Sequence, residues 1–137
     1  MKKSFFDTSI FIYALENNSV TARNLFQQAL SEGIVGTSTI TIMEYATGCL
    51  KYGKMERLNN FRYFLKDLMF EVVPVNDVIA LKATEIRSNY KFFKAMDVLQ
   101  LATAFVSRAD VFFTNDKQLL QYQEIAVELP PKIEPLR

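Results

Sequence analysis

The sequence predicts an α/β fold of three layers, α/β/α, with a central, mostly parallel sheet of four or five strands and a helical hairpin. Three observations predict it. Short β-leaning runs alternate with longer helical patterns along the whole chain. Two of those runs, Phe5-Phe6-Asp7 and Val111-Phe112-Phe113-Thr114-Asn115-Asp116, are aromatic strands that lead into an acid. Gly53 interrupts a long helical stretch. Alternating β and α segments require crossover helices, which place a parallel sheet between two helical layers with right-handed connections.

In order, Lys3 to Phe6 reads as the first strand, followed by helical patterns from Ile10 and from Val20 to Ser31. Ile34 to Gly36 is the second strand, and a helix is expected from Thr39 to Tyr52. Gly53 ends it, because glycine adopts the left-handed turn that stops a helix. The second arm of the hairpin runs from Met55 to Leu68, where Leu58, Phe61, Arg62 and Leu65 recur at three- and four-residue spacing and form a mostly apolar stripe facing a core or a partner. Phe70 to Val73 is the third strand. After Pro74, a helix from Asp77 to Asn89 and a very apolar one from Asp97 to Arg108 precede a fourth strand, Val111 to Thr114, a short helix from Lys117 and a last strand, Ile125 to Glu128. Residues 129–137 hold Pro130, Pro131 and Pro135 and are expected as an extended tail. No internal repeat or low-complexity segment breaks the chain, so 1–137 reads as one domain.

Composition narrows the chemistry. Half of the 137 residues are hydrophobic and 23% are charged, the balance of a chain able to bury its own core. The lone Cys49 allows no internal disulfide, and with no histidine the usual zinc sets are excluded. The same absence excludes every mechanism that relies on imidazole as general base. Hydrolytic chemistry must then rest on carboxylates, lysine or a metal. Met1-Lys2-Lys3 before an apolar stretch resembles a signal peptide, but Asp7 interrupts that stretch and no small-residue cleavage site follows. No apolar run reaches the length of a membrane span. A cytoplasmic location is expected. The formal charge of +1 excludes binding to nucleic acid by bulk electrostatics, so any RNA contact must be local.

Four acids stand where an active site of such a fold would be. Asp7 and Asp116 follow strands and so lie at the carboxyl edge of a parallel sheet, where open α/β folds place their sites. Helices begin where strands end, so Asp97 at the start of its helix and Glu44 in the first turns of its own lie on the same side. Each also has a plain structural reading. Asp7 and Asp116 precede helices and suit N-caps, and Asp97 suits a helix dipole. Glu44, four residues after Ile40 on a largely apolar helix, needs a partner if half buried. Collectively, four crowded carboxylates repel one another unless a cation neutralises them. Mg²⁺ prefers such oxygen ligands and is commonly held by one or two carboxylates together with substrate phosphate oxygens. That suits phosphodiester hydrolysis, with one or two ions steadying the attacking and leaving oxygens.

These residues resemble a known family. Asp7-Thr8-Ser9, Glu44 after Thr39-Ile40-Thr41-Ile42-Met43, the run Asp97 to Ala104, and Thr114-Asn115-Asp116 are similar to the four acidic motifs of the PIN domain, and more narrowly to VapC-type toxins of toxin–antitoxin pairs. The resemblance spans the whole chain. It implies a PIN-like domain acting as an endoribonuclease dependent on Mg²⁺ or Mn²⁺, usually a homodimer, inhibited by a small antitoxin whose tail packs over the active site. By position, Asp7, Glu44 and Asp97 match the core metal ligands and Asp116 the fourth acid, while Thr8, Ser9, Thr114 and Asn115 match residues that orient ligands or waters. Gln100 and the bulky Leu101 depart from the small apolar residues relatives often carry after the third acid, a difference that leaves the expected chemistry intact and bears on how the helix packs there.

Arg87, Lys91 and Lys94 precede Asp97 and are candidate contacts for RNA phosphates, against the reading of a solvated charged face. Phe92 and Phe93 are candidates for stacking on an unpaired base, for receiving an antitoxin side chain or for core packing. The hairpin aromatics Tyr52, Phe61, Tyr63 and Phe64 exceed what one small core absorbs and suggest a dimer or antitoxin groove. Two other function classes are weighed. A phosphoaspartate phosphatase wants a second acid two residues after the first, where Ser9 stands, and a receiver domain wants an acidic pair near the first strand and a phosphoacceptor Asp ending a middle strand, where Pro74 and Val75 intervene. A non-catalytic PIN-like module that binds RNA or protein has no reason to keep four mutually repelling acids.

Overall fold

The computed structural model describes residues 1–132; part of the expected tail, residues 133–137, lies outside the described residues. Among the described residues, five strands are joined by six α-helices and one 3-10 turn. They are β1 (Lys2–Phe6), α1 (Thr8–Leu15), α2 (Val20–Glu32), β2 (Gly33–Ser38), α3 (Thr39–Lys51), α4 (Met55–Asp67), β3 (Glu71–Val73), α5 (Asp77–Asn89), α6 (Ala95–Val106), β4 (Val111–Phe113), the 3-10 turn Lys117–Gln121 and β5 (Ala126–Glu128). The strands form one sheet in the order β3-β2-β1-β4-β5, parallel at every pairing. The alternation therefore gives the expected α/β/α layers. No helix among the described residues is long and apolar enough to cross a membrane.

Successive residues of a strand point to opposite faces, and the paired Phe residues of β1 and β4 use this to found both halves of the core. Phe6 and Phe113 sit opposite each other in register and stack at 5.2 Å between ring centres, on the face covered by α1 to α4. Phe5 and Phe112, one residue back, stack at 6.0 Å on the face covered by α5 and α6. Around Phe6 gather the rings of Phe11, Phe26 and Phe70, and Phe61 and Phe64 join through Phe11, so that with Phe113 seven of the twelve phenylalanines sit in one aromatic cluster.

Gly53 does end α3 as expected. Its φ is +64°, the Lys54 amide donates to the Cys49 carbonyl at 2.8 Å and the Gly53 amide to Leu50 at 3.2 Å, which closes the helix end and turns the chain into α4. Of the α4 stripe, Phe61 and Leu65 are buried and Leu58 partly so, whereas Arg62 is exposed. Phe61 stacks flat on Tyr45 of α3, 4.1 Å apart. Most boundaries differ from expectation by one or two residues. Helix α1 begins at Thr8, directly after the strand, because Asp7 caps it, and α6 begins at Ala95, two residues before Asp97. The first tail residues, Leu129 to Lys132, form neither helix nor strand, and Pro130 is buried.

Candidate active site

The chain builds β1, β2 and β3 outward on one side of the sheet, then crosses to place β4 on the other side of β1. The reversal opens a crevice at the carboxyl ends of β1 and β4, the position where open α/β sheets bind ligands. A cleft of about 500 Å³ lies there, lined by Asp7, Thr8, Ser9, Ile12, Glu44, Asp97, Asn115 and Asp116. The structure thus brings all four acids expected from sequence into one cleft, with Thr8, Ser9 and Asn115 among them.

Each acid is held by its local structure. Asp7 caps α1, accepting from the Thr8 amide at 2.8 Å on Oδ1, while Oδ2 accepts from the Thr114 hydroxyl at 2.8 Å. Thr114 in turn accepts the Asp116 amide at 3.1 Å, and Asp116 caps the 3-10 turn through the Gln118 amide at 3.0 Å. Capping and site membership are therefore the same fact for Asp7 and Asp116. Glu44 finds the partner its half-buried position requires in Thr8, whose hydroxyl donates to Oε1 at 2.6 Å. Asp97 is the third residue of α6 and accepts the backbone amide of Lys94, the residue before the helix. An acid reaching back in this way is one half of a capping box. On the far rim, the Asn115 amide donates to Ser9 Oγ at 3.3 Å and its side chain to the Tyr13 hydroxyl at 2.6 Å.

The electrostatics match four acids facing one space. Burial pushes Asp7 up to about 6, against the bonds from Thr114 and Thr8, and repulsion from Glu44 and Asp97 adds to the rise. Asp97 is also raised, first by burial and then by the neighbouring Asp116, with the Lys94 amide and charge opposing and Glu44 adding. Among the described residues no three Asp, Glu, His or Cys side chains stand close enough together to hold a metal ion between them. The donors around the cleft are oxygens throughout.

None of the candidate basic residues lines the cleft: Arg87, Lys91 and Lys94 are all exposed, and of the three only Lys94 acts on Asp97, lowering it against the effect of burial. Phe93 takes the core reading and Phe92 does not. Phe93 is buried against Tyr90, rings parallel at 4.8 Å, and Phe92 is 82% exposed. Beside the acids, a second cavity of about 330 Å³ runs between α1, α3 and α4, and Ile12 and Glu44 line both spaces.

Gln100 is the residue whose part in the site was missed. The sequence marks it only as a departure that unsettles packing; in the structure it is 1% exposed and hydrogen-bonded to Ser38 and Thr41 beneath the acids. The signal available was a carboxamide one turn after Asp97 on a helix otherwise fit for full burial, since a buried amide must have partners.

A family model for the PIN domain matches residues 4–125. No curated protein sequence matches the chain. Solved structures do match. VapBC2 from Rickettsia felis, bound to a DNA fragment from its promoter, is 17% identical, with 94% of this chain and 99% of that chain covered and a TM-score of 0.83. A toxin–antitoxin complex from Klebsiella pneumoniae is 27% identical over 90% of this chain and 95% of that chain, with a TM-score of 0.71. VapC20 from Mycobacterium tuberculosis, a sarcin-ricin loop cleaving toxin, is 16% identical over 89% and 98%, with a TM-score of 0.68. With the family match spanning every segment that carries a cleft acid, the chain belongs to the PIN domain family.

Proposed function

We propose that the chain is a metal-dependent endoribonuclease, the toxin of a toxin–antitoxin pair, with Asp7, Glu44, Asp97 and Asp116 as its metal-binding and catalytic acids. The observation that carries this reading is the convergence of four acids from four segments on one open cleft, with Asp7 and Asp97 both raised by burial and by each other's neighbours. Such a site is costly without a cation and suits one. The oxygen donors of the cleft fit Mg²⁺ or Mn²⁺, ions commonly held by one or two carboxylates together with waters and substrate phosphate oxygens. When bound, the ion would neutralise phosphate charge and lower the pKa of water, the two demands of phosphodiester hydrolysis.

The chain's own groups divide the remaining work. Thr114 and Thr8 hold Asp7 and Glu44 in fixed rotamers, which keeps the acids in place before substrate arrives. Ser9 and Asn115 form the rim that orients waters or phosphate oxygens. Lys94, next to Asp97, offsets part of the acids' repulsion of an RNA backbone. Arg87 and Lys91 continue a basic approach farther out. The relatives that are toxin–antitoxin complexes support an antitoxin partner, and the apolar groove between α1, α3 and α4, which shares Ile12 and Glu44 with the cleft, is where its tail would lie. A homodimer would cover part of the exposed Leu50, Tyr52, Met55 and Tyr63 on the hairpin. RNA as substrate and a cytoplasmic antitoxin go with a cytoplasmic, single-domain toxin that has no membrane association.

Incubation of the chain with RNA and Mn²⁺ or Mg²⁺ tests this. Cleavage is expected, lost with chelator and lost in Asp97→Asn, which keeps the shape but not the charge. An Asp97→Asn variant that cleaves as fast as the parent contradicts the assignment.

A further inference from the structure

We propose that Gln100 is a positioning residue of the site: its carboxamide fixes the Thr8 hydroxyl as a donor to Glu44 and so sets the Glu44 carboxylate against Asp7. The proposal rests on the metal-site reading above and assigns a role to a residue outside the acidic motifs.

The direction of each hydrogen bond follows from counting hydrogens. Ser38 Oγ accepts the Ile40 amide at 3.1 Å and spends its own hydrogen on Gln100 Oε1 at 2.7 Å. That fixes which way the carboxamide faces. Nε2 then points at Thr41 Oγ1, 2.8 Å away, and its second hydrogen lies between Thr8 Oγ1 at 3.4 Å and Asp7 Oδ1 at 3.5 Å. A flipped amide would set Oε1 against the Asp7 carboxylate. Thr37 gives its single hydroxyl hydrogen to the Phe6 carbonyl at 2.8 Å, so across the 2.9 Å to Thr41 it is Thr41 that donates. Thr41 thus has no hydrogen left for Thr8, and Thr8, 3.2 Å from it, meets the Gln100 amide from the same side. Of the two acceptors within reach of the Thr8 hydrogen, Thr41 Oγ1 at 3.2 Å already takes the Gln100 amide, and the Glu44 carboxylate at 2.6 Å is the nearer and the stronger.

The network is buried: Thr37, Ser38, Thr41 and Gln100 are each no more than 1% exposed. Water therefore does not compete for these groups, and their polarity is set by the protein alone. Gln100 joins the helix that carries Asp97 to the strand end that carries Asp7 and the helix start that carries Thr8. An aliphatic side chain there would leave Thr8 free to turn its hydrogen to Thr41 and Glu44 free to swing.

The test measures Mn²⁺ binding by titration calorimetry on the full chain without RNA. Gln100→Met keeps length and removes both polar ends; it should weaken Mn²⁺ by about tenfold, the scale of losses when groups orienting metal ligands are removed. Thr8→Val should do the same, and the double variant should be no more than about twofold weaker than the weaker single, because the two act in series. Ile86→Val, in the core under α5, should lower Tm and leave Mn²⁺ affinity unchanged. Gln100→Met binding Mn²⁺ like the parent despite a lowered Tm, or additive losses in the double variant, overturns the proposal. Should Gln100→Met fail to fold, the Gln100 side-chain amide resonances of the parent decide: they should shift on Mg²⁺ titration with the same midpoint as metal binding, and resonances that stay fixed overturn the role. A parent that binds no Mn²⁺, or Asp97→Asn binding it equally well, overturns the metal-site reading itself, a different result from a failure at Gln100 alone.

Discussion

The Thr114 hydroxyl donates to Asp7 Oδ2 at 2.8 Å and joins the ends of β1 and β4 across the crevice where the sheet order reverses. That one bond couples fold to site, because the same hydroxyl receives the Asp116 amide. Thr114→Val keeps the shape and removes both roles. Losing a bond to an ionised group costs about 1.5 to 3 kcal/mol, and the lost donor should move Asp7 above its value of about 6. Carboxyl carbon NMR across a pH titration reads the shift directly, and an unchanged or lower Asp7 contradicts this account of the bond.

The raised acids predict how stability depends on pH. Burial lifts Asp7 from 3.8 to about 6, so folding takes up a proton between those values and the ion-free chain loses stability as pH climbs through that window. Asp97 shifts in the same direction. The contribution from Asp7 is about 3 kcal/mol at most. Urea unfolding in chelator should therefore show the difference in stability between Asp7→Asn and the parent growing from pH 4 to pH 7, in favour of the variant. Added Mn²⁺ should reverse the order at pH 7, since the ion rewards the ionised carboxylate that Asn cannot supply.

Phe6 should be among the most sensitive core positions. Its ring meets Phe11, Phe26, Phe70 and Phe113, and it is fully buried. Phe6→Ala leaves a cavity that rigid aromatic neighbours fill poorly, a loss of about 3 to 5 kcal/mol. Denaturant unfolding measures it, and a loss under about 1 kcal/mol would mean that the cluster repacks around the cavity.

Gly53 tests the hairpin by backbone alone. A Cβ there would meet nothing within 4 Å, so Gly53→Ala adds no clash, only the strain of an L-residue at a φ of +64°. The expected loss is about 1 to 2 kcal/mol, read from the midpoint of urea unfolding, and no measurable loss would show that the turn relaxes to another conformation.

Much of this molecule was legible in the sequence because its signals are local. The alternation of short apolar runs with helical patterns gave the layers, and an acid after each aromatic strand had to fall at the carboxyl edge once the sheet was parallel. Helix starts were less visible: α6 begins before Asp97 because the acid caps from inside, at the third position, and no side chain at Lys94 announces the end. Sheet order was not readable, since pairing β4 with β1 depends on which Phe rings meet across strands far apart in sequence. The contacts of Gln100 were hidden for a related reason. Its partners Ser38, Thr41, Thr8 and Asp7 come from other segments, so only their assembly turns an odd polar residue on an apolar helix into a satisfied one.

A crystal soaked in Mn²⁺ and measured at the manganese absorption edge tests the metal site most directly. The account predicts an anomalous peak inside the cleft, within coordinating reach of Asp7 or Asp97, that disappears in Asp97→Asn. Manganese bound only at other surfaces, with the cleft carboxylates untouched, would contradict it.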